Sequence, residues 1–155
     1  MSVTMKDVRF YLDADEVDYP AAKALGPEAV PFLAELVAGQ DLALASKAAY
    51  LAGLIRSKDS VDVIKDAATR DEPVMRVAAA ASLRNLPELQ AEKVMDLLVA
   101  DPDAGVRKVM VKSAQGFASV EVESRLRALT DDDDEVVADL AQESVTAMRL
   151  RRREL

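Results

Sequence analysis

The chain has no cysteine, no histidine and no tryptophan among its 155 residues. Without cysteine there is no disulfide, no thiolate nucleophile and no zinc–sulfur site. Without histidine the commonest general base and the commonest metal ligand are missing. Glycine is scarce, at five residues, and aromatics make up 4%. Alanine is heavily used, and that balance favours closely packed helices over sheets. No apolar run is long enough to span a bilayer. The opening residues MSVTMKDVRFYLDADE carry charges where a secretion signal carries an apolar core. The formal charge of -8 repels phosphate backbones and disfavours generic nucleic-acid binding. Together these absences predict a soluble, cytoplasmic protein with no cofactor, no metal, no membrane contact and no nucleic-acid partner. The length fits one domain or one repeat array.

What is present is periodic, with a step of 31 residues. Ala45, Arg76, Arg107 and Ala138 occupy equivalent positions. One residue earlier lie Leu44, Met75, Val106 and Val137, and three later lie Ala48, Ala79, Met110 and Ala141. Ten later lie Ile55, Leu86, Phe117 and Met148. A helix buries one stripe, so apolar residues at matched offsets predict four equivalent helices. A preceding helix in each unit follows the same step. Phe32, Leu33, Leu36 and Val37 recur as Val63, Ile64, Ala67 and Ala68, then as Val94, Met95, Leu98 and Val99. The last copy reads Arg125, Leu126, Leu129 and Thr130, a more polar edge suited to a terminal unit facing water.

Acidic turns separate the paired helices: Asp41, Asp71 with Pro73, Asp101-Pro102-Asp103, and Asp131 to Asp134. Asp there is expected to cap the next helix. The run at 131–135 lacks the alternating spacing and the glycine of a calcium loop. Residues 1–25 depart from the period and predict a divergent helical cap, with Val8, Phe10, Tyr11 and Leu12 as candidate core. Four units then follow, at about 26–56, 57–87, 88–118 and 119–148, and residues 149–155 continue the last helix as a basic tail.

The pattern Asp101, Pro102, Asp103, Val106, Arg107 resembles the HEAT-repeat signature, and Asp71, Met75, Arg76, Ala79, Ala80 and Leu83 match it again. The segment LGPEAVPFLAELV, Leu25 to Val37, resembles the short bacterial HEAT-like repeats first named for bilin lyase subunits. The resemblance covers about residues 20–148, with Ala45 and Ala138 replacing the arginine in the outer copies. It implies an all-α, right-handed α-solenoid of antiparallel helix pairs, with the second helix of each pair lining the concave face. It also implies a structural ladder between neighbouring units, built here from Arg76, Arg107, Asp71, Asp101 and Asp103. Solenoids of this kind include base-excision DNA glycosylases, which are basic and rely on aromatic residues, whereas this chain is acidic and aromatic-poor. Bilin lyase chaperones are another relative, but no lyase-specific residue is present.

Helical phase places offsets 1, 5 and 8 of each second helix away from the core. These are Ser46, Tyr50 and Gly53; Val77, Ala81 and Arg84; Lys108, Lys112 and Gln115; Asp139, Glu143 and Thr146. The candidate partner-binding residues are Tyr50, Val77, Ala81, Arg84, Lys108, Lys112, Gln115, Asp139 and Glu143. Exposed Tyr and Arg serve as interface anchors, and exposed Val77 and Ala81 would leave an apolar patch. Alternatively, Val77 and Ala81 touch neighbouring helices, and the two lysines form surface ion pairs with Asp139 and Glu143. No serine sits in a glycine-rich nucleophile turn and no glycine-rich phosphate loop exists, so catalysis is not expected. The expected function is noncatalytic binding of a protein or peptide, as an adaptor or regulatory subunit. The alternatives are a self-assembling structural solenoid, paired through residues 1–20 where the chain is otherwise monomeric, and an enzyme subunit or chaperone related to bilin lyases.

Overall fold

Capping chemistry sets where the helices begin. In the computed structural model, which describes residues 2–154, Thr4 opens α1 (Met5–Leu12) with a reciprocal capping box to Asp7. Asp18 accepts an amide of α2 (Tyr19–Lys23), and Gly26, at a φ of 73°, turns the chain into a short 3-10 turn. That turn leads to α3 (Val30–Ala38). Asp41 caps α4 (Leu42–Ile55), and α5 (Ser60–Ala68) follows. Pro73 sits in the first turn of α6 (Pro73–Ser82), where it removes an amide that would lack a partner. A 3-10 turn, Leu83–Asn85, ends α6 and precedes α7 (Glu88–Leu98). Asp103 caps α8 (Ala104–Ala114), Ser119 caps α9 (Val120–Arg127), and Asp134 accepts the amides of Val136 and Val137 in α10 (Glu135–Glu154). Asp71, expected to cap, does not: Glu72 holds the cap position of α6 without a side-chain bond. Met1 of the expected cap and Leu155 of the expected tail lie outside the described residues.

The chain is all-helical, with no strand among the described residues. Helices adjacent in sequence pack from α3 against α4 through α7 against α8, and α9 packs against α10. Helices two apart also pack: α4 on α6, α6 on α8, α8 on α10, and α3 on α5, α5 on α7, α7 on α9. One continuous core results, from Val8 and Leu12 to Met148. Its small residues matter as much as its large ones. Gly53 is buried, and a Cβ there would lie 3.3 Å from the carbonyl of Ser82. For want of a side chain, Gly53 lets the end of α6 lie close against α4. It was expected on the solvent side; the correction is that its bareness serves packing.

Phe10 is the other correction. It is 76% exposed, whereas Val8 and Leu12 are fully buried and Tyr11 is half-buried. Val8 and Leu12 stand four apart and define the inward stripe of α1, which packs on α2, α3 and α4. Phe10 lies two positions from both, on the opposite side. No helix among the described residues is long and apolar enough to cross a membrane.

Candidate functional site

Two arginines tie successive helix pairs together through carboxylates 25 positions further on. Arg76 donates from Nε to Asp101 Oδ2 at 2.7 Å and from Nη2 to Oδ1 at 3.3 Å. Arg107 reaches Asp132 in the same way, at 2.8 and 2.9 Å. Each carboxylate also accepts a backbone amide two residues on, from Asp103 and Asp134 respectively, at 2.9 Å in both cases. The forked guanidinium matches the two carboxylate oxygens, so the contact fixes orientation as well as charge. Both acids are nearly enclosed, with Asp101 and Asp132 side chains 4% and 7% exposed. The hydrogen bond from Arg107 holds the Asp132 carboxyl below its usual range, against the upward push of burial.

The assignment of Asp71 and Asp103 to this set needs correction. The carboxylate of Asp71 is exposed, and Arg76 uses the backbone carbonyls of Arg70 and Asp71 instead, at 2.9 and 2.7 Å. Asp103 spends its carboxylate on the amides of Gly105 and Val106. Asp132, read in the sequence only as part of an acidic turn, is the acid that completes the second pair. The 25-residue offset from each arginine to an aspartate was the available signal.

At the first step the polarity of the contact is reversed. Ala45 stands where Arg76 and Arg107 stand, and Arg70 stands where Asp101 and Asp132 stand. Arg70 donates to the carbonyls of Val37 and Gly39 at 2.7 and 2.6 Å and pairs with Glu72 at 2.7 Å. The carbonyls of Gly39, Arg70 and Asp101 lie 31 residues apart, and Arg70, Arg76 and Arg107 respectively satisfy them. Every one of these carbonyls thus receives a guanidinium, whichever side supplies it.

The basic tail is likewise structural. Glu123, in α9, is 2% exposed and accepts from Arg127, Arg149 and Arg152. The Arg152 hydrogen bond, with help from Arg127, holds its carboxyl below the ordinary range although burial pushes it up. Arg151 donates to the carbonyls of Gln115 and Phe117 at 2.7 and 3.0 Å, and Arg152 to that of Ala118 at 3.2 Å. Arg125 bridges α9 to α7 through Glu92 and Asp96.

Most candidate binding residues lie on α4, α6, α8 and α10, each of which packs on the next, while Arg84 and Gln115 follow the ends of α6 and α8. Tyr50 is half-buried and meets Tyr19 edge to face, with ring centroids 5.0 Å apart. Burial, and then the neighbouring Tyr50, raise the Tyr19 hydroxyl above its ordinary value, so it stays a neutral donor. The two tyrosines share a cavity of about 670 Å³ with Pro20, Lys23, Ala24 and Leu54. Val77 and Ala81 are half-buried, neither free nor enclosed. Arg84 is exposed in the turn after α6 and donates to Ser113 Oγ at 3.3 Å. Lys108 is half-buried and Lys112 exposed. Among the described residues neither lysine forms an ion pair, so the pairing considered with Asp139 and Glu143 is not made. Gln115 donates to Ser144 Oγ at 3.3 Å and shares a second cavity with Glu143, Ala147 and Arg151. Asp139 and Glu143 are exposed.

Sequence reasoning overlooked Lys23 and Leu54 because they belong to a different helix or a different phase from Tyr50. It also overlooked a signal that was legible: α2, α4, α6 and α8 contain no aspartate or glutamate, in a chain with 28. Among the described residues there is no cluster of metal-ligating side chains. No protein-family model and no curated protein matches the sequence.

Proposed function

We propose that the chain is a right-handed α-solenoid of HEAT-like helix pairs that binds a polypeptide along α4, α6, α8 and α10 and acts as an adaptor or regulatory subunit without chemistry of its own. The observation that carries this reading is the face on those helices. It combines a tyrosine-walled cavity, half-buried Val77 and Ala81, and cations that have no carboxylate partner among the described residues. Aromatic anchors beside an apolar strip and a charged margin are what protein recognition uses. The regular succession of helix contacts supports the solenoid, since each pair meets only its neighbours. A photo-crosslinking residue at Ala81, compared with one at Asp62 on α5, tests the face in source-cell lysate. One polypeptide joined from Ala81 and absent from Asp62 is the expected result. Crosslinks confined to Asp62, or none from either, would overturn it.

A second reading, self-association through residues 1–20, is favoured by Phe10, which stands exposed on α1 beside Lys6, Asp7, Arg9 and Asp13. Sedimentation equilibrium of wild type and Phe10→Glu decides it: a concentration-dependent mass abolished by the substitution supports pairing there, and a monomer throughout rejects it.

A further inference from the structure

The binding reading leaves the chemistry of the ligand open, and the distribution of charge narrows it. The molecule carries -8 overall, yet the helices that bear the tyrosine cavity and its continuation hold no carboxylate at all. Of the acids that precede these helices, Asp18, Asp41 and Asp103 cap α2, α4 and α8, and Glu72, ahead of α6, pairs with Arg70. On the same helices Lys23, Lys108 and Lys112, and Arg84 in the turn after α6, have no carboxylate partner among the described residues. Acidic character returns only at α10, with Asp139 and Glu143. A cationic strip on an otherwise acidic molecule selects for an anionic partner.

Resting on the polypeptide-binding reading, we infer that the partner is an acidic segment whose anchor is one large apolar side chain. The anchor enters the cavity between Tyr19 and Tyr50, with Lys23 contributing its ammonium there. The acidic residues then lie against Arg84, Lys108 and Lys112. Neighbouring packed helices stand about 8–10 Å apart, so the two steps from α4 to α8 span about 16–20 Å. An extended chain advances about 3.3 Å per residue, which places the acidic block about five or six residues from the anchor. Asp139 and Glu143 bound the block on its far side, because further acid there would meet like charge.

Fluorescence anisotropy with synthetic peptides tests this. The probes carry one phenylalanine and, five residues away, Asp-Glu-Asp, made in both sequence orders. Controls replace the phenylalanine by serine or the block by Asn-Gln-Asn. The expected result is binding of one order, weakened by salt and by either control. It also weakens about tenfold or more on Tyr50→Ala and on Lys108→Glu/Lys112→Glu, with circular dichroism unchanged. Lys108→Gln/Lys112→Gln serves if charge reversal disturbs folding. Silence of both orders, indifference to the variants, or binding of a single-stranded oligonucleotide in their place would overturn the inference. A crosslinked partner at Ala81 alongside silent peptides sinks the acidic segment with its apolar anchor alone; silence in both experiments sinks the binding face with it.

Discussion

Arg107 and Asp132 show how much a single carboxylate decides. Its side chain is 7% exposed and that of Arg107 is 14% exposed, so removing the acid strands a largely enclosed cation. Asp132→Asn is expected to cost about 2–4 kcal/mol at neutral pH, since breaking such a pair leaves one charge uncompensated. The pH dependence has a definite sign. Asp132 titrates lower in the folded chain than in the unfolded one. Its contribution is therefore complete above the ordinary carboxylate range and is lost as pH falls through the folded value. Urea unfolding from pH 7 downward should show the gap between wild type and Asp132→Asn closing in acid. A gap that stays constant would mean the substitution acts through shape and not through charge. The pair was half-visible in the sequence: Arg107 was identified, but its partner sits in a run of four aspartates that only the fold can tell apart.

Between elements, the reversed contact from the turn after α5 to the end of α3 makes a sharper test. Arg70→Asp removes the donor to the carbonyls of Val37 and Gly39 and should cost about 1–3 kcal/mol, the penalty for leaving part-buried acceptors unsatisfied. It also creates at 70 the acid found at 101 and 132. Adding Ala45→Arg then supplies the guanidinium from the other side. The double variant should melt closer to wild type than Arg70→Asp alone, a favourable coupling measurable by a double-mutant cycle. Additive or worse destabilisation would show that the space beside Ala45, which is fully buried, does not admit the larger side chain. The same comparison explains why the helices themselves were readable: their caps and apolar stripes act over three or four residues, as at Asp41 with Leu44.

For the whole molecule, long-range contacts join each helix mainly to its neighbours, and stability should follow that pattern. Met148→Ala opens a cavity in fully buried packing at the C-terminal end. Native-state hydrogen exchange should speed up in α9 and α10 while amides of α4 keep their protection. Uniform loss along the chain would instead indicate one cooperative unit. The tail contributes to this end, since Arg149 and Arg152 close over Glu123.

The helical content, most helix starts and the buried stripes were already set by the order of residues, because capping and periodicity are local. Val8, Leu33, Ile64, Met95 and Leu126 lie inside as their spacing required. Tertiary packing alone decided which carboxylate each arginine meets, why Glu123 is enclosed, why Gly53 is bare, and which side of α1 faces out. It also joined Tyr19 to Tyr50 across 31 positions. Those outcomes depend on groups brought together from distant parts of the chain, and an arginine in sequence carries no mark of the acid it will reach.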